Sequence, residues 1–243
     1  MEQEIPLNGG SWTAGVVRVG DTVRRPASAS SGFTATLLSH LATQGFAGAP
    51  RHLGWDEKGR DVLTFIPGDV LPKWRRRTDE QIAAAAAILR QMHDASRSLA
   101  TTLGGGEVVC HHDPSQTNMV FRHGVPVAFI DFDFAAVGDP LEDLGYMSWS
   151  WCISAKPERG PAAEQARQVR HLADAYELST EQRHRLPAAI EARLVRNEHF
   201  WQQVLDDEQS HITPARAAEV LEWTRQEAAF VTAHRRVFKS ALS

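Results

Sequence analysis

An acid, a carboxamide and a second acid stand close together between apolar runs in the middle of this chain. The stretch reads His111-His112-Asp113-Pro114-Ser115-Gln116-Thr117-Asn118 and, after a short hairpin, reaches Ile130-Asp131-Phe132-Asp133. Val108-Val109-Cys110 leads in, Met119-Val120-Phe121 leaves, and Val127-Ala128-Phe129-Ile130 delivers the second acid. All three runs read as short buried strands. With a turn at His123-Gly124-Val125-Pro126, Arg122 faces Val127 and Asn118 falls opposite Asp131. Directly opposed residues have Cβ atoms roughly 5 Å apart, so the Asn118 oxygen and the Asp131 carboxylate could share one hard cation. Mg2+ suits such a pair, because it accepts a few protein oxygens and keeps other positions for water and phosphate. Asp113, in the loop entering that strand, can reach a hydroxyl near the metal.

Base, carboxamide and metal acid in this order form the constellation of kinase-type phosphoryl transfer. A third motif, Gly138-Asp139-Pro140-Leu141-Glu142-Asp143-Leu144, follows at compatible spacing. Together the three motifs resemble the aminoglycoside phosphotransferase family of kinase-like enzymes. The resemblance is strong from Val108 to Met147, weaker upstream and nearly absent after Lys156.

The resemblance implies an α+β, bilobal protein-kinase-like fold. A small β-rich nucleotide-binding lobe would occupy residues 1–68, with a hinge near 64–68. A larger, mainly helical lobe, 69–243, would carry the catalytic and acceptor-binding residues. In this reading Asp113 is the catalytic base and His111 serves the catalytic loop by hydrogen bonding. Asn118 and Asp131 hold Mg2+, and ATP or GTP is the phosphoryl donor. The acceptor is a hydroxylated small molecule, aminoglycoside-like or amino-alcohol-like. Phe65 and Ile66, at the end of a strand-like run from Asp61, are the candidates for the connector whose backbone meets the nucleotide base. Asp143 braces the catalytic loop, and His93 has a structural role at a helix end.

Two departures stand out. The family carries a cation, usually Lys, on its second or third strand, and that strand here has only Arg24 and Arg25. Strand alternation puts Arg25 on the face of Val23, and a pocket wall needs an apolar residue beside its cation, so Arg25 is preferred. Arginine is a planar fork rather than a point charge. The helix that normally supplies a Glu to hold this cation has no Asp or Glu between Ala27 and Gln44. An alternative function follows, a kinase-like nucleotide-binding protein with impaired turnover and a regulatory or scaffolding role.

Other chemistries fit the same residues less well. Adjacent histidines are not the i, i+4 pair of a zinc helix. No Gly-x-Ser-x-Gly nucleophile turn of a Ser-His-Asp hydrolase is present in the sequence. Asp133 shares a strand face with Asp131, which allows a second metal ligand; the preferred reading is a residue that tunes the site or caps the following loop.

The rest of the chain must position these groups. At 243 residues, with 42% hydrophobic and 23% charged content, it can bury a core as one large domain or two lobes. The net charge of −4 argues against nucleic-acid binding by bulk electrostatics. Two cysteines, Cys110 and Cys152, give no disulfide framework and read as buried thiols. No secretory signal or membrane-length apolar run is visible, so the expected location is the cytoplasm, with no membrane partner.

Asn8-Gly9-Gly10-Ser11 reads as a glycine turn before a strand from Ala14 to Val19, with a second strand at Thr22 to Arg25. Phe33, Leu37, Leu38 and Leu41 follow helical spacing up to Gly45. Thr78-Asp79-Glu80-Gln81 and Ser179-Thr180-Glu181-Gln182 are capping boxes. Lys73-Trp74-Arg75-Arg76-Arg77 is a basic cluster, and Asp206-Asp207-Glu208 an acidic run; both read as solvated surface. Asp139-Pro140 opens a helix expected to reach about Ile153. The segment after Ser179 is expected to be interrupted or bent near Pro187, and Thr213-Pro214 opens the last helix. By the resemblance, these late helices form the acceptor wall.

Overall fold

A computed structural model of the chain describes residues 3–7, 15–72, 76–207, 210 and 212–243. The glycine turn at Asn8–Ser11, the Lys73–Arg75 part of the basic cluster and Glu208 lie outside the described residues. The chain forms two compact units, Met1–Arg75 with Ala87–Pro140, and Arg76–Ala86 with Leu141–Ser243.

In the first unit, Val-, Thr- and Arg-bearing segments alternate across an antiparallel sheet. Its strands are β1 (Ile5–Pro6), β2 (Val17–Val19), β3 (Thr22–Arg25), β4 (His52–Trp55) and β5 (Asp61–Thr64), ordered β1-β2-β3-β5-β4. The period of two sends Arg24 and Arg25 to opposite sides of β3. Arg24 turns toward Asp56, at 3.9 Å, while Arg25 is buried on the other side. Helix α1 (Ser31–Thr43) buries Leu37, Leu38 and Leu41, each 1% exposed, and stops before Gly45, whose φ of 74° suits a residue without a side chain.

A short strand β6 (Asp69–Val70) precedes the long helix α2 (Asp79–Leu103). The capping box at its start is present: the Gln81 amide donates to Thr78 Oγ1, and the Thr78 amide to Gln81 Oε1, each at 3.2 Å. Ile82, Ala85, Ala86, Leu89 and Met92 repeat at helical spacing and are almost wholly buried. Strand β7 (Val108–Cys110) then leads into the loop that carries Asp113 and pairs with β10 (Ala136–Gly138). Between them lies the hairpin of β8 (Met119–Arg122) and β9 (Val125–Phe129), extended on one side by β6.

The hairpin corrects the expected register. Its turn has only two residues, His123 and Gly124, both with positive φ, 51° and 79°. Paired positive φ values match the sense of twist that a tight hairpin requires. Arg122 therefore pairs with Val125 rather than Val127. A bulge between Val120 and Phe121 recovers part of the offset, and Pro126, which has no N–H to give a ladder, sits beside it. Met119 pairs with Phe129, and the Ile130 amide donates to the Asn118 carbonyl at 2.9 Å. Asn118 is thus opposite Ile130, one residue short of Asp131.

The second unit is helical. Helix α3 (Pro140–Met147) runs into a π turn, Ser148–Cys152, instead of continuing as α-helix to Ile153. It is followed by α4 (Ala162–Ala175), α5 (Thr180–Asp206), α6 (Pro214–Ala233) and α7 (Arg235–Leu242). Helix α5 passes through Pro187 without interruption, and its Ser179–Gln182 capping box is formed. Gly145 lets α3 approach α5 closely: a Cβ there would lie 2.6 Å from the Ala189 carbonyl oxygen. No helix among the described residues is long and apolar enough to cross a membrane.

At the centre of this unit, Glu227 is 0% exposed. Its carboxylate accepts from Ser154 Oγ at 2.8 Å, the Ala155 amide at 3.0 Å, Trp223 Nε1 at 3.0 Å and Trp149 Nε1 at 3.4 Å. Burial pushes its pKa up, and the four donors oppose that shift. Trp149 stacks between Trp223 and Tyr146, with centroids 5.2 and 5.6 Å away.

Candidate active site

The loop between β7 and β8 is braced from within by His111. Its ring is 0% exposed and rests against Phe129 and Phe132, with centroids 5.4 and 4.5 Å away. The Asp113 amide donates to its Nδ1 at 3.3 Å, so Nε2 carries the proton and donates to the Ile130 carbonyl at 3.1 Å. Both nitrogens are engaged inside the protein, the geometry of a positioning residue rather than of a proton carrier. His112 adopts φ 60°, a conformation few side chains tolerate, and Nδ1 donates to the Phe134 carbonyl at 3.0 Å. Two adjacent histidines thus tie this loop to the segment that carries Asp131.

Asp113 is oriented by Asn118. The Asn118 amide nitrogen donates to Asp113 Oδ2 at 2.8 Å and to the Asp113 carbonyl at 3.1 Å. Asn118 closes a 3-10 turn, Gln116–Asn118, which folds the carboxamide back over the loop. Asp113 Oδ1 is buried and has no hydrogen-bond partner among the described residues. An acceptor left unmatched in a buried setting is costly, so it marks a place for a proton donor.

Asp131 follows the end of β9 with φ 66°, a strained setting of the kind found at functional sites. Its side chain is 44% exposed, and Oδ1 lies 3.4 Å from Arg25 Nη1. Burial raises its pKa; Arg25 and His111 pull it down, while Asp133 and Asp113 push it further up. The donor set fits a hard divalent cation. Both bonds given by Asn118 go to Asp113, which leaves its carboxamide oxygen without a donor among the described residues, and Asp131 offers carboxylate oxygen.

Arg25 rather than Arg24 meets these acids. Nη2 pairs closely with Asp133 Oδ2, and Nη1 with Asp131. The sequence reads Asp133 as a tuning or capping residue or a second metal ligand, and does not show its pairing with Arg25. The available signal was indirect: a strand cation beside a helix with no acid needs a counter-ion elsewhere. Helix α1 instead presents hydroxyls. Thr34 Oγ1 donates to the Phe132 carbonyl at 3.2 Å, and Ser31 Oγ to Asp61 Oδ2 at 2.5 Å.

Of the two connector residues, Phe65 is restricted. Its amide donates to the Asp21 carbonyl at 2.8 Å, and its ring lies under the Arg18 guanidinium at 3.9 Å. Its carbonyl, and both backbone groups of Ile66, make no hydrogen bond among the described residues, so these can face a nucleotide base.

The model of the Phosphotransferase enzyme family matches residues 96–186. The trifolitoxin immunity protein of Rhizobium leguminosarum bv. trifolii is 30% identical over 270 aligned positions, covering 100% of both chains. A choline/ethanolamine kinase family protein from Mesorhizobium loti is similar in structure, with a TM-score of 0.64 at 17% identity over 100% of this chain and 92% of that one. Aminoglycoside 2'-phosphotransferase-IIIa, solved with GDP, gives 0.60 at 14% identity over 95% and 93%. A spectinomycin phosphotransferase solved with ADP and spectinomycin gives 0.57 at 13% over 92% and 93%. At these identities the structural likeness is one of fold.

Proposed function

The chain belongs to the aminoglycoside phosphotransferase family, and from that premise we propose that it transfers the terminal phosphoryl group of ATP or GTP to a hydroxyl of a small molecule. The observation that carries this reading is the Asp113 carboxylate. One oxygen is fixed by the Asn118 amide and the other is buried without a partner, as a base awaiting a hydroxyl proton requires.

The chain's own residues divide the work. The acceptor hydroxyl gives its proton to Asp113 Oδ1 as its oxygen forms a bond to the terminal phosphorus. The bond from that phosphorus to the bridging oxygen breaks, and a nucleoside diphosphate leaves. His111 holds the loop that carries Asp113, and Asn118 and Asp131 would hold Mg2+. When bound, that ion neutralises charge on the phosphate oxygens. Arg25 offers a further cation, and the Phe65 carbonyl and Ile66 backbone offer partners for the base. In such reactions positioning and electrostatics supply most of the acceleration.

For the acceptor, aminoglycoside-like and amino-alcohol-like compounds remain the first classes to test. The immunity-protein relative adds a third, a toxin that loses its action once a hydroxyl is phosphorylated. The test is turnover of Mg-ATP and Mg-GTP against these three classes, with Asp113→Asn as control. Acceptor-dependent release of nucleoside diphosphate, lost in the control, is expected. Nucleotide binding with no release above the control would instead favour the second reading, a nucleotide-binding protein without turnover. That reading draws on the Arg25 contact with Asp131 and on the lack of an acid on α1.

A further inference from the structure

Two carboxylates pair with the Arg25 guanidinium and a third stands opposite Arg25 on the neighbouring strand, and their engagements differ. Asp61 faces Arg25 across the β3–β5 ladder, but its oxygens are occupied by Ser31 Oγ at 2.5 Å and His52 Nε2 at 3.3 Å. Asp131 touches Nη1 at 3.4 Å through one oxygen and keeps a side chain 44% exposed. Asp133 makes the close pair with Nη2 and is 25% exposed, beside an Arg25 side chain only 9% exposed. A guanidinium so far removed from water needs a counter-charge that stays with it. A carboxylate shared with a divalent cation is the poorer partner, because the ion draws on the same negative charge.

We propose that Asp133 is the positioning residue for Arg25, holding the guanidinium toward the nucleotide phosphates while Asp131 is left to the metal. The inference rests on the phosphotransferase reading and deepens it. The strand cation, elsewhere held by a helix acid, is here held by the loop that carries the metal acid. The backbone supports this assignment: Thr34 of α1 fixes the Phe132 carbonyl between the two acids, and the Ala135 amide donates to the same carbonyl at 3.1 Å. Asp133 is therefore anchored on a turn that α1 itself braces. Asp131 and Asp133 approach the fork through different nitrogens, so either can leave without displacing the other.

The experiment is a double-mutant cycle on Arg25 and Asp133, read as the dissociation constant for ADP by calorimetry, with and without Mg2+. Asp133→Asn is expected to weaken binding on the order of 10-fold, and to add nothing in an Arg25→Ala background. Asp133→Glu, which retains the charge, is expected to recover most of the affinity. Wild-type affinity in Asp133→Asn would overturn the assignment. So would an equal loss in both backgrounds seen only with Mg2+, which is the behaviour of a metal ligand. The same cycle with Asp133→Ser covers the case in which Asp133→Asn does not fold. Wild-type protein that binds no nucleotide would sink the phosphotransferase reading itself. Wild-type binding with an indifferent Asp133→Asn sinks only the positioning role.

Discussion

Two acidic sites in this protein, one a lone glutamate and one a group of three aspartates, are built on opposite principles. Glu227 lies at 0% exposure and receives four hydrogen bonds from neutral donors, which ties the π turn, the segment after it and α6 into one knot. Asp113, Asp131 and Asp133 are less buried, share one cation between two of them, and leave an Asp113 oxygen unmatched. A saturated acid stabilises its surroundings and has nothing left to offer a ligand. An unsaturated one costs stability and is kept where chemistry uses the vacancy.

The most forceful way to break this contrast is to neutralise each site and compare the damage. Asp113→Asn is expected to lower turnover about 1,000-fold with folding and nucleotide affinity retained. Steady-state kinetics beside calorimetry measures both, and equal losses in each would erase the distinction. Glu227→Ala is expected to do the reverse, costing about 3 kcal/mol of stability in urea unfolding because four donors lose their acceptor. Asn118→Ala should weaken Mg-nucleotide binding on the order of 10-fold, since it removes both a candidate ligand and the group that orients Asp113. Unchanged affinity would remove Asn118 from the metal site.

A pH series sharpens the comparison further. The Glu227 pKa is raised in the fold, so the folded state holds its proton more tightly than the unfolded chain. Its contribution to stability is fully present below the ordinary glutamate value and is lost as pH rises through the raised one. Glu227→Gln should therefore flatten the fall in urea midpoint across that window relative to wild type. The smallest effect concerns Cys152, whose buried thiol is pushed up to about 12. A thiol reagent at neutral pH should leave it unmodified until the protein unfolds.

The parts of the site that were legible in the sequence are those set by short-range spacing. Asp113, Asn118 and Asp131 sit within one loop and hairpin, and alternation along β3 was enough to prefer Arg25 over Arg24. The register slipped by one because hairpin counting assumed four turn residues. His123 and Gly124 suffice once both accept positive φ, and the bulge near Pro126 then takes up one of the two residues of offset. The Arg25–Asp133 pair joins residues 108 positions apart, and no local pattern encodes such a distance. Glu227 was invisible for a related reason. A glutamate in a helix with many polar neighbours looks like surface until the π turn and two tryptophans close over it. The capping boxes at Thr78 and Ser179 were readable because their chemistry is complete within four residues.

The connector carries a mechanical consequence. Phe65 is fastened by its amide to Asp21, and Asp69 is zipped onto Phe121 of the hairpin. Gly68 passes so close to β8 that a Cβ there would lie 2.4 Å from the Phe121 carbonyl oxygen. The arc between the two fastenings is Ile66, Pro67 and Gly68, held once at its middle, where the Pro67 carbonyl accepts from Arg122 Nη2 at 3.2 Å. Any breathing of the sheet against the β8–β9 hairpin would be concentrated in those three residues. The chain behaves there as a short leaf spring rather than a slack tether, and its compliance would be read directly by amide exchange at Ile66 and Gly68.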